Sequence, residues 1–462
     1  MIKYISTRGK APILGFEDVV LAGLASDGGL YVPDSIPQFS AQDLKALSTL
    51  SYTDLAYKVM QPFIGDAIVE KDLHAIIVDS YKNFRDPKIA PLKKLGDNEY
   101  LLELFHGPTL AFKDFALQFL GRVLEYFLER NHQELTVIGA TSGDTGSAAI
   151  EGCRGRKHMK IFILHPHNKV SAVQRRQMTT VEDSNVFNLA VDGTFDDCQD
   201  IVKSLFADKK FREKQKLTAV NSINWCRILA QVVYYFYASF QLGSAKPVSF
   251  CVPTGNFGDI YAGYIAQKMG LPVEKLIIAT NSNDILARCL KTGTYAMEGV
   301  SPTLSPSMDI QISSNFERLL FDLYDRDGSA IDKIMNDFRK EKKFTLSEKA
   351  LTKLRTQFAA GRADDTETKT TIAAVYKECS ELLDPHTAVG LSVAREFHKD
   401  KNIAMVTLAT AHPAKFPDAV TAATGVHPYL PAHLSDLMTR EEKMGIIAND
   451  ATQIKSYIEK HS

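Results

Sequence analysis

The sequence predicts an α/β fold built on mainly parallel sheets. Short apolar runs typical of buried strands are closed by Gly, Pro, His or Thr, and they alternate with longer stretches typical of helices. That alternation is the pattern of strand–helix–strand units. The predicted strands are Leu135–Gly139, Ile161–Leu164, Val248–Val252, Leu276–Thr280 and Ile403–Leu408, and the clearest predicted helices are Phe115–Arg130 and Asn224–Phe240. Because ligands bind beyond the carboxyl ends of strands in such sheets, we expect the chemistry just after these runs.

The length of the chain and the character of its segments indicate several domains. A chain of 462 residues with 45% hydrophobic content is too long for one compact unit. We expect an N-terminal segment over residues 1–95, an α/β domain over 96–245 and a second over 246–462, with a helical insertion near 330–382. We interpret the basic cluster Arg339–Lys343 in that insertion as the solvated face of a helix.

Charge and cysteine content argue against several classes of protein. Lys and Arg total 54 against 55 Asp and Glu, so net charge does not favour nucleic acid or an anionic membrane as the main partner. Net charge does not report local sites, so a cationic site for a phosphorylated small molecule stays an alternative. The six cysteines are scattered without a Cys-x-x-Cys pair, which argues against a disulfide framework or a zinc site and favours a cytoplasmic location. No apolar run is long enough to span a bilayer, and no obligate protein partner is evident.

The first chemical motif is a lysine in apolar surroundings, Lys113 within His106–Asp114. A Gly-Pro turn leads to this lysine at the predicted start of a helix, between Phe112 and Phe115. Loss of hydration disfavours the ammonium form, and a neutral amine is the species that forms a Schiff base with an aldehyde. The alternative is a lysine whose stem covers an apolar patch while its amine stays in water.

Two glycine-rich loops each follow a predicted strand. The first, Gly139–Ala149, opens a helix of small residues and carries the hydroxyls of Thr141, Ser142 and Thr145, which suit a carboxylate or a phosphate. The second, Pro253–Asp259, places two glycines around Asn-Phe, a pattern that suits a nest of backbone N–H groups for a phosphate. Neither loop has the dinucleotide or nucleotide P-loop pattern, and a plain turn is the alternative for both.

A fourth motif, Leu408–Lys415, follows the last predicted strand. A hydroxyl there suits the ring nitrogen of a ligand. His412 has a catalytic and a structural interpretation, and a lone histidine before a proline is more often structural. The four motifs are more informative together than singly. A desolvated lysine, two anion loops and a hydroxyl, each expected beside a strand end, are the parts that a phosphorylated aldehyde cofactor requires.

Several longer motifs carry a resemblance to the threonine synthase family, in its yeast- and enteric-type branch. They occur in the same order as in that family and span most of the chain: YISTRG, FHGPTLAFKDFALQFL, GATSGDTGSAA, AVNSINWCRILAQ, PTGNFGDIYAGY, LSPSMDIQISSNFERLL, LDPHTAVG and TAHPAKF. Because YISTRG resembles the family's own start, no presequence is expected. The resemblance implies a fold type II pyridoxal-phosphate (PLP) enzyme, tryptophan synthase β-like, with two open twisted α/β domains and the cofactor between them.

The resemblance also implies roles for particular residues. Lys113 attaches PLP, Gly255, Asn256, Phe257, Gly258 and Asp259 form the phosphate loop, and Thr410 contacts the pyridine nitrogen. Ser142, Asp144 and Thr145, together with Thr141, hold substrate or the 3′-oxygen side of the cofactor. Weaker candidates for the anionic groups of the substrate are Ser6, Thr7, Arg8, Asn221, Ser222, Asn224 and Arg227. Two alternatives stay open: an ion pair for Arg227, and no direct contact between Asp144 and the phenolate oxygen, because a carboxylate donates only when protonated.

The implied reaction converts O-phospho-L-homoserine and water into L-threonine and phosphate, with Lys113 as the general base at Cα. The nearest rival is a threonine-synthase-like phospholyase, which would stop after elimination and give a keto acid, phosphate and ammonia. A rival of another class is a non-catalytic protein that keeps the pocket for ligand binding. A dehydrogenase is remote because the dinucleotide fingerprint is missing.

Overall fold

The computed structural model describes residues 1–219, 222–243 and 246–461. Its strands are β1 (Tyr4–Ser6), β2 (Tyr31–Pro33), β3 (Leu92–Gly96), β4 (Glu99–Glu103), β5 (Leu135–Ala140), β6 (Met159–Pro166), β7 (Val186–Asp192), β8 (Leu217–Thr218), β9 (Val248–Pro253), β10 (Val273–Thr280), β11 (Thr294–Ala296), β12 (Lys343–Thr345), β13 (Phe358–Arg362), β14 (Ala404–Ala409) and β15 (Gly445–Ala448). The five strands predicted from the sequence are confirmed as β5, β6, β9, β10 and β14, each within a few residues of its predicted ends.

The α-helices cover most of the remaining chain. They are α1 (Phe16–Ala22), α2 (Ala41–Leu47), α3 (Tyr52–Ile64), α4 (Glu70–Tyr81), α5 (Lys113–Asn131), α6 (Asp144–Cys153), α7 (Ala172–Thr179), α8 (Phe195–Ala207), α9 (Lys209–Lys214), α10 (Trp225–Gln241), α11 (Gly258–Lys268), α12 (Ile285–Thr292), α13 (Phe316–Leu323), α14 (Gly328–Glu341), α15 (Glu348–Gln357), α16 (Asp365–Cys379), α17 (Pro385–Phe397), α18 (Pro417–Thr424) and α19 (Ala451–His461). The two helices predicted most clearly are confirmed as α5 and α10. No helix in the described ranges combines the length and the apolar character needed to cross a membrane.

Unit 1 comprises residues 1–106 and 222–428 and is built on a six-stranded sheet. The strand order is β13-β10-β9-β14-β4-β3, and every neighbouring pair is parallel except β3 and β4. Helix α17 lies on this sheet, where buried Val389 and Val393 pack with Cys251 and Ile277. Because β9 and β14 are parallel neighbours, the loops that follow them leave the sheet at the same edge.

Unit 2 comprises residues 107–221 and 429–462 and holds a wholly parallel five-stranded sheet. The order is β15-β7-β6-β5-β8, so β15 joins the sheet from the later part of the chain. Ile454 and Ile458 of α19 are fully buried in the same core as Phe162 and Leu189. Both units are thus assembled from separated parts of the sequence, whereas the predicted domains are contiguous; the predicted boundaries themselves stay a prediction.

The region near 330–382 differs from the helical insertion that we expected because it also contains two strands. The first is β12, which pairs antiparallel with β11. Helices α14, α15 and α16 lie there, but β13 lies between them and pairs in parallel with β10, from Leu276 with Phe358 to Thr280 with Arg362. Its sequence, FAAGR, has little strand character of its own, and its pairing partner lies about eighty residues earlier. Arg339–Lys343 are all exposed, as the interpretation of a solvated cluster requires, but only Arg339–Glu341 lie on a helix, because Lys342 caps the end of α14 and Lys343 begins β12.

Candidate active site

Lys113 is the first residue of α5, and a tight turn places it there. Asp114 is fully buried, and its carboxylate accepts hydrogen bonds from the Thr109 N–H at 2.8 Å and the Thr109 hydroxyl at 2.7 Å. A Cβ on Gly107 would lie 2.5 Å from this carboxylate, so only glycine fits. Leu110 has a φ of 61°, in the left-handed region. The turn is therefore fixed on both sides before the helix begins.

The side chain of Lys113 is buried beside an aromatic ring and a carboxylate. Its residue exposure is 8%, and Nζ lies 5.2 Å from the centre of the Phe112 ring and 3.4 Å from Oδ2 of Asp144. Asp144 is itself buried, and its Oδ1 accepts a hydrogen bond of 2.8 Å from the side-chain amide of Gln174. Within unit 2, Asp144 thus orients the amine while Gln174 orients Asp144.

In the first glycine-rich loop, the Thr141 hydroxyl forms hydrogen bonds within the loop itself. Thr141 Oγ1 accepts hydrogen bonds from the N–H groups of Gly143 at 3.0 Å and Gly146 at 2.9 Å. A Cβ on Gly146 would lie 2.4 Å from the Thr141 side chain, so the loop closes only around glycine. Ser142 is exposed and Thr145 half-buried at the start of α6. The ligand roles predicted for all three stay predictions, and the geometry favours Ser142 and Thr145 over Thr141.

Helices α5 and α6 approach each other closely through two glycines. A Cβ on Gly121 would lie 2.0 Å from the carbonyl oxygen of Gly152, and one on Gly152 would lie 2.5 Å from the carbonyl oxygen of Leu117. Lys113 begins the first of these helices and Asp144 begins the second. The glycine contact therefore sets the spacing between the helix starts that carry the amine and its carboxylate.

In unit 1, the predicted phosphate loop follows β9 and opens α11. The carbonyl oxygen of Gly255 accepts from the Ser313 hydroxyl at 2.7 Å, and that of Asn256 accepts from the Asn315 N–H at 3.0 Å. In a trans peptide the N–H points opposite to the carbonyl. The N–H groups of Asn256 and Phe257 therefore point away from Ser313 and Asn315, as a nest for an anion requires.

Two further features hold this loop in shape. Phe257 has a φ of 65°, which is costly for a bulky residue, and its buried ring lies against Phe316 and Phe358 at centroid distances of 5.3 and 5.9 Å. A Cβ on Gly255 would lie 2.7 Å from the carbonyl oxygen of Ser307, so glycine is required there. The loop fits a phosphate through its backbone rather than through charged side chains.

Asp259 does not direct its side chain to the ligand side of the loop. Its Oδ1 accepts hydrogen bonds from the hydroxyls of Tyr234 at 2.6 Å and Tyr235 at 2.9 Å, both on α10. Burial raises the pKa of Asp259 to about 6. The predicted cofactor role of Asp259 therefore rests on its backbone, because the carboxylate joins α11 to α10.

Thr410 lies one residue beyond β14, at the same sheet edge as the phosphate loop. The register pairs Thr407 with Cys251, so Thr410 and Thr254 occupy matching positions after neighbouring strands. The Thr410 N–H donates to the Thr387 hydroxyl at 3.2 Å, and its own hydroxyl makes no hydrogen bond within the described ranges. His412 is half-buried, its Nδ1 accepts from the Ala414 N–H at 3.2 Å, and burial lowers its pKa to about 4. This geometry favours the structural interpretation of His412.

Arg227 is a buried cation in the first turn of α10. It is 6% exposed, and burial lowers its pKa to about 10. In the part of the chain that the structure describes, Nη1 is inaccessible to solvent without a hydrogen-bond partner, and the guanidinium makes no ion pair. A buried guanidinium without a counter-ion is costly. The ion-pair alternative for Arg227 therefore gains no support, and an anionic ligand would supply the missing charge.

Most of the weaker substrate candidates are engaged within unit 1. Arg8 forms a two-point ion pair with Glu317, at 3.1 Å through Nε and 3.0 Å through Nη2, and Thr7 donates to the same carboxylate at 2.6 Å. Ser6 donates to Asp27 at 2.8 Å. The Asn224 side chain caps α10 by accepting from the Cys226 N–H at 3.0 Å. Asn221 lies outside the described residues.

The sequence interpretation assigned no role to Asn315, which connects two predicted ligand segments. Its side-chain amide donates to the carbonyl oxygens of Ser222 at 3.1 Å and Asn256 at 2.9 Å, and Arg318 in turn donates to its Oδ1. The available signal was the motif ISSNFER, in which an amide and a guanidinium stand three residues apart at a helix start.

Three known families together match most of the chain. Residues 3–81 match the family described as threonine synthase N terminus, residues 87–337 match the pyridoxal-phosphate dependent enzymes, and residues 387–458 match the family described as threonine synthase, C-terminal. The middle match alone covers more than half of the sequence and includes Lys113 and the predicted phosphate loop.

Curated relatives are similar to this chain over more than nine-tenths of their own lengths. The chain is 52% identical to the threonine synthase of Pseudomonas aeruginosa, covering 100% of this chain and 98% of the relative, and 46% identical to that of Saccharomyces cerevisiae, covering 99% and 97%. A human protein named threonine synthase-like 2 is 38% identical, covering 95% and 93%.

Solved structures agree with this similarity. The PLP-bound threonine synthase of Brucella melitensis superimposes with a TM-score of 0.98 at 53% identity, covering 100% of both chains. The yeast enzyme gives 0.94 at 46% identity, covering 99% of this chain and 98% of its own.

Proposed function

Because this chain belongs to the threonine synthase family of PLP-dependent enzymes, we propose that it converts O-phospho-L-homoserine and water into L-threonine and inorganic phosphate. The observation that carries the choice of substrate is Arg227, a buried guanidinium without a counter-ion in the described residues. A substrate with a phosphate and a carboxylate offers the charge that this guanidinium lacks.

Family membership confirms several predictions made from the motifs. The threonine synthase resemblance, the fold type II architecture with two sheets rich in parallel strands, and the dependence on PLP are all confirmed. The residue roles below are part of the proposal.

Each unit contains residues that fit a different part of PLP. Unit 2 offers the primary amine of Lys113 in an apolar setting, where it would attach the cofactor aldehyde. Unit 1 offers the N–H groups around Asn256 and Phe257 for the phosphate, and the hydroxyl of Thr410 for the ring nitrogen. When bound, PLP supplies an electron sink for charge that develops at the substrate Cα.

The chain's own residues then have three tasks. Lys113 removes and returns protons at the substrate carbons, as a positioned general base and acid. Asp144 and Gln174 hold its amine in place. Arg227 binds an anionic group of the substrate, and because the guanidinium is already desolvated the contact is stronger than one in water.

The experiment that tests this function is product analysis. PLP-loaded protein is mixed with O-phospho-L-homoserine, and the organic products and phosphate are resolved by chromatography. We expect threonine and phosphate in equal amounts, with turnover reduced about 10³-fold or more in Lys113→Ala. Lys246→Ala, which alters an exposed lysine, is the matched control and should retain full activity.

Other outcomes would change the proposal in defined ways. Phosphate accompanied by a keto acid and ammonia would show a phospholyase that shares the cofactor and the lysine. No phosphate release would refute the proposed substrate. Equal turnover by Lys113→Ala and the parent protein would refute the role of the lysine.

We also propose a cytoplasmic location. Five of the six cysteines are buried free thiols, and burial raises the pKa of Cys153 to about 12, so these thiols are poor nucleophiles. Fractionation of cells that express a tagged chain tests this proposal, and recovery of the tagged chain in a membrane or secreted fraction would refute it.

A further inference from the structure

Unit 1 contains a cleft of about 340 Å³ that the proposed reaction does not use. This volume is within the range of sites for small organic ligands. One wall is aromatic: Tyr295 stacks on Phe316 at 5.5 Å and on Phe344 at 5.0 Å, with interplanar angles of 18° and 20°. Phe338 meets Tyr295 edge-on at 5.4 Å. These four rings are between 2% and 8% exposed and pack mainly on one another, so they form a rigid floor. The apolar surface that the cleft offers to a ligand comes from Leu24 and Ile312, which line it and are 46% and 54% exposed.

The cleft also carries unneutralised positive charge. Arg339 and Lys342 line it at the end of α14, and both are exposed. Neither forms an ion pair with a described residue. Glu317, which also lines the cleft, is already paired in two places with Arg8. The charge left for a ligand is therefore positive, and the complementary ligand is an anion.

The wall of the cleft continues into the predicted phosphate loop. Ser313 lines the cleft and donates to the carbonyl oxygen of Gly255 at 2.7 Å, and Ser314 donates to the Asn256 side chain at 3.1 Å. The Phe316 ring of the aromatic wall also contacts the Phe257 ring at 5.3 Å. A ligand that moves this wall would also move the loop.

We propose that this cleft binds a small amphipathic anion, with an apolar body against Leu24 and Ile312 and an acidic group beside Arg339 and Lys342. Occupancy of the cleft changes how tightly the phosphate loop holds the cofactor, through Ser313 and Phe316. This coupling between the cleft and the cofactor rests on the proposed role of Gly255–Asp259 as the phosphate loop. Binding of the anion in the cleft does not depend on that role. Because all these residues lie in unit 1, the cleft is a property of that unit alone.

Binding is tested by calorimetric titration of the PLP-loaded protein with 2-naphthoate, and with 2-naphthamide as the uncharged ligand of the same shape. We expect naphthoate to bind about tenfold more tightly than the amide. The double change Arg339→Gln and Lys342→Gln should lower naphthoate affinity about tenfold. Lys340→Gln, which alters a neighbouring exposed lysine outside the cleft, is the matched control and should leave the affinity unchanged. Equal binding of both ligands, or equal affinity in the double variant and the control, would overturn the proposal.

The coupling has its own measurement, which requires no turnover. The rate at which PLP leaves the diluted holoenzyme is followed by its absorbance, with and without saturating naphthoate. We expect naphthoate to change this rate about fivefold. Ser313→Ala removes the hydrogen bond to Gly255 and should abolish most of that change. If naphthoate left the rate of PLP release from the parent protein unchanged, the coupling would be refuted. Because this rate is measured without turnover, the result does not depend on whether the proposed reaction is correct.

Discussion

At the scale of single residues, Arg227 and Arg318 form an instructive pair in unit 1. Both are buried, and burial lowers the pKa of each to about 10. Arg318 donates to the carbonyl oxygens of Tyr31 and Ile223, whereas Arg227 makes no hydrogen bond through its guanidinium in the described chain. The fold thus satisfies the buried charge of Arg318, whereas we propose that a ligand neutralises that of Arg227.

Replacing Arg227 should therefore separate stability from function. We expect Arg227→Met to stabilise the ligand-free protein by roughly 1 to 3 kcal/mol, because an uncompensated buried charge is removed. We expect the same change to raise the KM for O-phospho-L-homoserine about 10²-fold. Denaturant unfolding and steady-state kinetics measure the two effects. Arg318→Met is the matched control and should lose stability, because it removes the hydrogen bonds to Tyr31 and Ile223. An equal loss of stability in Arg227→Met would show that the Arg227 guanidinium has a partner in the fold.

The buried carboxylate of Asp259 predicts a pH dependence of stability. Burial raises its pKa from 3.8 to about 6, so the folded protein binds more protons than the unfolded chain between these values. Stability from this group is present below about pH 4 and is lost as the pH rises to about 6. Asp259→Asn is always neutral and should exceed the parent in stability by roughly 1 to 3 kcal/mol above pH 6, with no gain below pH 4.

Urea unfolding of both proteins between pH 4 and pH 8 measures this difference. Asp196→Asn, at an exposed position on α8, is the control and should show no comparable gain with pH. A stability gain in Asp259→Asn that grew toward acidic pH would contradict the assignment.

The sequence revealed the residues of the site more readily than their orientations. The burial of Lys113 is visible in its apolar neighbours, because they are adjacent along the chain. The direction of the Asp259 side chain is not visible, since Tyr234 and Tyr235 lie on another helix. The use of the Thr141 hydroxyl within its own turn also depends on backbone geometry that residue types alone do not determine.

At the scale of elements, the contact between α5 and α6 predicts an unusual response to alanine. In a helix interior, glycine to alanine normally stabilises by roughly 0.5 to 1 kcal/mol. A Cβ on Gly121 would lie 2.0 Å from the backbone of α6, so we expect Gly121→Ala to destabilise by about 2 kcal/mol or more. The separation of the two helices should also weaken the contact between Lys113 and Asp144 and shift the absorbance of bound PLP.

Chemical unfolding and the cofactor spectrum measure these two effects. Gly96→Ala is the control, because its Cβ would meet only the Glu99 side chain at ordinary contact distance. A stabilised Gly121→Ala protein would refute the close approach. The motif GATSGDTGSAA predicted a helix of small residues, now α6, but the sequence did not predict that α6 packs against Gly121 of α5.

Elements with strong local patterns were predictable, and those that depend on a distant partner were not. Strand β9 reads VSFCVP and is buried along its whole length. Strand β13 is an edge strand of small residues whose conformation is set by pairing with β10. For the same reason the sequence did not predict that β15 joins the sheet of unit 2.

At the scale of the whole molecule, unit 2 depends on two parts of the chain that are far apart in sequence. Strand β15 adds an edge to its sheet, and Ile454 and Ile458 fill its core. Arg175 pairs with Glu442 at 2.8 Å through Nε, which joins the two parts again. Removal of residues 429–462 would expose an apolar core beside β7.

We therefore expect a chain that ends at Pro428 to lose the folded state of unit 2. Limited proteolysis should cleave within residues 107–221, and the chain should lose its covalent PLP label at Lys113. Glu459→Ala is the control: its pairing with Lys214 at 3.0 Å is exposed, so it should cost at most about 1 kcal/mol. A truncated chain whose residues 107–221 stayed resistant to protease would refute this dependence.

The split construction of unit 2 has a consequence during protein synthesis. A ribosome adds about 5 to 20 residues per second, so roughly 10 to 40 s separate completion of residues 107–221 from emergence of the segment that closes their sheet. During that interval the nascent chain carries an unpaired β7 edge and an uncovered apolar face, the features that chaperones bind. Lys113, the residue that we propose attaches the cofactor, lies in unit 2, so we expect cofactor loading to follow closure of that sheet.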